Sequence, residues 1–94
     1  MSALAELLTP DALAKLAAPA NLRLGRAIAD EDGVQPICVE PAKITANVGG
    51  TPAAPQRRTV ELKAASGKLE WSCACTRRRD LFCKHCVAAA LVLP

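Results

Sequence analysis

The residues able to do chemistry crowd into thirteen positions near one end of the chain. Cys73-Ala74-Cys75 and Cys83-Lys84-His85 are two i, i+2 pairs with seven residues between them. Zinc takes four such ligands in a tetrahedron, with Zn–S about 2.3 Å and Zn–N about 2.0–2.1 Å. On a strand, i and i+2 point to one face, so Cys73 and Cys75 can aim at a single ion. On a helix the same spacing places two residues roughly 200° apart. Cys83 and His85 must therefore sit in the turn leading into the last helix, where unpaired N–H groups can donate to thiolate sulfur. The expected set is Cys73, Cys75, Cys83 and His85 around one structural Zn2+. Three thiolates and one imidazole close the site, whereas a catalytic zinc keeps an open position. The deaminase pattern of His-x-Glu followed by Pro-Cys-x-x-Cys is absent. His85 is the only histidine, so a Ser–His or Cys–His pair would need the same residue. No enzyme is expected. Cys86 leaves an alternative open, because Cys83 and Cys86 are i, i+3 and share a helix face; Cys73, Cys75, Cys83 and Cys86 could also ligate. Otherwise Cys86 packs beneath the site as a small apolar residue. The competing view is a group of free cytosolic thiols with His85 an ordinary surface residue.

Something must position those ligands. With 94 residues the chain is one domain, and a domain of that size buries a limited share of its surface. Hydrophobic residues make up 51% but aromatics only 2%, so Ala and Leu supply a core of small contacts that a metal anchor would help. Residues 1–32 read as helical. Leu4, Leu7 and Leu8 are at helical spacing, and Thr9-Pro10-Asp11 is a restart signal with Thr9 as cap and Pro10 in the first turn. Leu13, Leu16 and Ala17 form an apolar stripe that Pro19 ends. Leu22, Leu24, Ala27 and Ile28 mark a third helical stretch. After the Asp32-Gly33 turn signal the period becomes alternating, and residues 33–70 read as antiparallel strands. Ile37, Val39, Ile44, Ala46 and Val48 form a strand pair around Pro41-Ala42, with Cys38 expected in the core. Residues 49–55 are a loop by composition. Val60 and Leu62 face one side of the next strand, and Arg57, Thr59, Glu61 and Lys63 the other. Ser66-Gly67 is a hairpin turn, and 69–75 a further strand running into the cysteines. Thr76 to Phe82 is a short polar connection. The Ala- and Leu-rich segment after Cys83 reads as a helix that is apolar nearly all round and so must be buried. The sequence suits either an excised piece of a longer chain or a helix that meets a partner. The fold class is α+β: N-terminal helices, a small antiparallel sheet, and a last helix entered through the second ligand pair.

The ligand pattern resembles the SWIM zinc finger, Cys-x-Cys, a variable spacer, then Cys-x-His. Trp71-Ser72-Cys73-Ala74-Cys75 and Cys83-Lys84-His85-Cys86-Val87-Ala88-Ala89 are similar to that family's tryptophan before the first pair and its Cys-Lys-His before an apolar helix. Ile44 to Gly50 and Thr59 to Leu62 look like the strands before the finger in bacterial members, although Arg57-Arg58 stands where an aromatic often precedes the second strand. The resemblance implies a C-terminal strand–strand–helix zinc finger over residues 71–94, which binds DNA or proteins and is found in bacterial helicase-associated proteins, transposases and eukaryotic signalling proteins.

Charge bears on the partner. The net charge of +3 hides a segregation. Residues 1–40 carry three basic and six acidic groups, and residues 41–94 nine basic and three acidic. A basic surface suits an anionic partner. Arg77, Arg78, Arg79 and Lys84 flank the metal ligands, with Arg57, Arg58, Lys63 and Lys68 on or near the strands. Phosphate contact on DNA is the expected form of nucleic-acid binding, because base stacking needs aromatics and the apolar last helix cannot enter a groove. The alternative is a protein-interaction module docking on a larger partner such as a helicase-like ATPase. No small-molecule substrate and no membrane are expected. Met1-Ser-Ala-Leu-Ala-Glu lacks a basic n-region and an apolar h-region, so a cytoplasmic location is the default. There, clustered cysteines read first as metal ligands.

Overall fold

A computed structural model describes residues 3–52, 54–73 and 82–93. Three helices, α1 (Ala3–Leu7), α2 (Pro10–Leu16) and α3 (Pro19–Asp30), precede four strands, β1 (Val34–Val39), β2 (Lys43–Val48), β3 (Arg58–Ala65) and β4 (Lys68–Cys73), and α4 (Lys84–Val92) follows them. The class is α+β. The strands form one antiparallel meander in the order β1-β2-β3-β4. Among the described residues no helix is long and apolar enough to cross a membrane.

Local chemistry accounts for the element boundaries. The Thr9 hydroxyl accepts the Ala12 amide at 3.3 Å and caps α2. Pro19 does more than end α2: it occupies the first turn of α3, where its missing N–H costs nothing. At the far end of α3, Asp32 takes φ 57°. The Asp32 and Gly33 amides donate back to Ala29 O and Ile28 O at 3.2 and 2.9 Å, which closes the helix with a left-handed C-terminal cap. Ser66 and Gly67 both have positive φ, 52° and 75°, the twist a two-residue hairpin requires, and they join Ala65 to Lys68 in register.

The register sorts the side chains. Ile44, Ala46 and Val48 of β2 and Val60 and Leu62 of β3 are buried on one face. Cys73 pairs with Val60 and Trp71 with Leu62, so both lie on that same face. Thr59, Lys63, Glu70 and Ser72 lie on the other face, exposed. β1 departs from the expected alternation. A bulge between Pro36 and Cys38 spends Ile37 as an unpaired residue and turns Cys38 to the side of Thr45. Cys38 is half-buried and outside the core, contrary to the expectation from sequence. Ile37 and Val39 are exposed. The bulge and Pro36 blunt this free sheet edge.

α4 lies between α3 and the sheet. Every residue from His85 to Ala90 is buried, so an apolar perimeter is covered on all sides, as its composition demands. Burial ends there: Leu91 and Val92 are exposed, which the sequence did not foretell. Gly25 of α3 packs closely on Val87 and the Lys84 carbonyl of α4. Leu4, Leu8, Leu13 and Ile28 complete the core above the sheet.

Candidate metal centre

The site forms where β4 ends and α4 begins. Cys73 is the last residue of β4, placed on the core face by its pairing with Val60. Cys83 is the N-cap of α4, extended at φ −78°, ψ 174°, and His85 is in the first helical turn. The backbone change at Cys83 resolves the problem of i, i+2 ligands on a helix: one is outside the helix and the other inside it. Among the described residues, the ligand atoms of Cys73, Cys83 and His85 all lie within 4.8 Å of one another. Cys83 Sγ and His85 Nδ1 are 3.8 Å apart. A tetrahedral ion with bonds of about 2.1–2.3 Å separates its ligands by about 3.4–3.8 Å, so the three residues can hold a metal ion with small adjustments. Nδ1 is the imidazole atom facing the cluster. His85 is 5% exposed and Cys83 4%, so His85 is not the surface residue of the competing view.

The groups influence one another strongly. Hydrogen bonding among the sulfurs, from Cys73 first and then Cys86, holds the Cys83 thiol far below its ordinary range despite burial. The same neighbours, Cys73 first and then Cys83, raise His85 to about 9. Cys86 is driven strongly upward by Cys73, then Cys83, then burial, and keeps its proton. A metal must displace the imidazolium proton. Apparent affinity should therefore climb as pH rises toward about 9, by up to about tenfold per pH unit for that one proton. Competition with a chromophoric chelator between pH 6 and 8 checks the sign; an affinity flat over that range would contradict it.

Of the four expected ligands the structure brings together three. Cys75 lies outside the described residues, as do Arg77, Arg78 and Arg79. Cys86 stands beside the cluster, with its sulfur 3.8 Å from that of Cys83, but does not join the set of mutually close ligand atoms. Lys84 is half-buried at the first position of α4. It borders an open cavity of about 560 Å3 with Asn21, Pro55, Arg58, Cys83 and His85. Arg58 is thus brought beside the site from β3, 25 residues earlier in sequence than Cys83.

Phe82 was missed by sequence reasoning, which placed it in a polar connection. It is completely buried and meets Trp71 edge to face, ring centroids 5.3 Å apart at 77°. The two rings brace β4 and the residue before α4 directly beside the ligands. Their sequence signal was available: the chain's only two large aromatics are each within two residues of a ligand. No family model, curated protein or solved structure matches the chain.

Proposed function

We propose that the protein is a zinc-dependent binding module of SWIM type and not an enzyme. Cys73, Cys75, Cys83 and His85 hold one structural Zn2+, and a basic surface around it contacts DNA phosphates. The observation that carries this is the convergence of half-buried Cys73 with buried Cys83 and His85 across a strand end and a helix start. Thiolate and imidazole in a closed, tetrahedral set favour zinc over harder cations, which prefer oxygen. The ion would tie both ends of the 74–82 segment to the core, and with it Arg77, Arg78 and Arg79. Lys84 and Arg58 add two cations at the rim of the adjoining cavity. Phosphate contacts of this kind need no recognition helix, and the buried α4 offers none.

The test is the salt dependence of duplex DNA binding. The log–log slope should be negative. In an Arg77→Ala, Arg78→Ala, Arg79→Ala variant whose metal content is unchanged, it should shrink by about 0.9 for each phosphate that is no longer neutralised. No binding at low salt would end the DNA reading.

A second reading, docking on a larger protein partner, is favoured by the exposed Leu91 and Val92 at the end of α4. Binding to a partner that survives high salt and is weakened by Leu91→Ser would favour it over DNA.

A further inference from the structure

Cys86 has no role in the proposed ligand set, yet it sits against one of the ligands. It is completely buried, and its sulfur lies 3.8 Å from that of Cys83. Cys83 caps α4 and Cys86 follows in its first turn. In a helical turn the Cα atoms of residues three apart are about 5 Å from one another, inside the Cα span of about 4.4–6.8 Å that a disulfide bridges. A rotation of the two side chains closes the remaining gap. The two residues also differ in their surroundings. Cys83 borders the open 560 Å3 cavity, and Cys86 does not. Arg58 and Lys84 border it too, so Cys83 is the member of the pair beside that opening.

We propose that Cys83 and Cys86 are a peroxide-responsive thiol pair, in which oxidation closes the Cys83–Cys86 disulfide and withdraws Cys83 from the metal. The oxidant is a hydroperoxide, hydrogen peroxide being the simplest. The Cys83 thiolate attacks one peroxide oxygen; the S–O bond forms, the O–O bond breaks, and hydroxide leaves and takes a proton from solvent. The Cys83 sulfenic acid is then attacked by Cys86 sulfur. The S–S bond forms, the S–O bond breaks, and the Cys86 proton leaves with the hydroxyl as water. Together the two sulfurs lose two electrons, which reduce one peroxide to water. Cys86 thereby resolves the sulfenic acid before it can pass to the irreversible sulfinic stage. A metal-bound thiolate is a weaker nucleophile than a free one, so the pair answers to oxidant excess and not to the resting reducing poise of a cell. The release step rests on the metal-centre reading, whereas the thiol pair rests on geometry alone.

The experiment treats the full chain with hydrogen peroxide, maps disulfides by peptide mass spectrometry, and follows metal with a chromogenic chelator. Expected are a Cys83–Cys86 disulfide, release of the bound ion, and recovery of metal binding after a thiol reductant and zinc are added. Cys86→Ala should bind the metal as the parent does, form no such disulfide, and fail to recover after oxidation. Cys86→Ser serves in its place if the alanine variant misfolds, and the parent map needs no variant. A disulfide that maps to Cys73–Cys83 or Cys73–Cys75, or no disulfide at all, overturns the proposal. A chain that carries no metal yet closes Cys83–Cys86 sustains the pair and overturns the metal centre.

Discussion

Stripping the metal with a chelator is expected to unfold the protein, not merely to loosen one end of it. A structural zinc contributes about 10–16 kcal/mol of binding free energy in small domains, against a typical total stability of about 5–15 kcal/mol. Here the ligands belong to the elements that can least be spared. Cys73 ends β4, an edge strand, and Cys83 and His85 begin α4, which α3 and all four strands touch. Without the ion, α4 has a first turn with no side-chain cap and a cluster of ionisable groups in the core. A loss of about 5 kcal/mol or more follows. For a chain of this size that is a fall in Tm of about 25 °C or more. Trp71 is the only tryptophan and packs on Phe82 beside the ligands, so its fluorescence should report the change directly. A chelated protein that melts at the temperature of the untreated one would show that the core holds without the ion.

Gly25→Ala should also be damaging, in a place far from any ligand in sequence. In an exposed helix this change gains about 1 kcal/mol. At Gly25 a Cβ would come within 2.5 Å of Val87 Cβ and Cγ1 and 2.9 Å of the Lys84 carbonyl oxygen. Two of those three atoms cannot rotate away, because one is a Cβ and one is backbone. α3 must therefore move off α4, and overpacking of this kind costs about 1–3 kcal/mol. Because Lys84 lies between Cys83 and His85, the displacement reaches the proposed metal ligands. The expected result is a Tm lower by about 10 °C together with faster loss of metal to a chelator. Adding Val87→Ala should restore only part of the stability, since it removes Cγ1 and leaves the clashes with Cβ and backbone. Full restoration, or a Gly25→Ala protein as stable as the parent, would contradict so close a helix approach.

The elements governed by neighbours in sequence were legible in the sequence. Thr9-Pro10, Asp32-Gly33 and Ser66-Gly67 are local devices, and each does in the structure what its chemistry requires. The alternation of Val60 and Leu62 with Thr59, Glu61 and Lys63 fixed the buried face of β3. The helix-start placement of Cys83 and His85 followed from the roughly 100° step of a helix, and the cap geometry of Cys83 agrees with it. Features set by tertiary context were not legible. The bulge at Ile37 leaves no mark in a run of apolar residues, so Cys38 was placed on the wrong face. Phe82 follows a polar run, and only its packing on Trp71 shows that it belongs to the core. Arg58 reads as a strand residue, and only the β3–β4 register, which sets Val60 opposite Cys73, brings it beside the α4 start. The burial of α4 was foreseen from composition, but where burial stops depends on how far α3 and the sheet extend.

The most direct measurement of the metal centre is stoichiometry, by native mass spectrometry and elemental analysis of the intact protein, compared across three substitutions. One zinc per chain is expected in the parent. Cys73→Ala and His85→Ala should lose it, and Cys86→Ala should keep it. A parent free of metal, or a His85→Ala protein that retains zinc while Cys86→Ala does not, would contradict the centre described here.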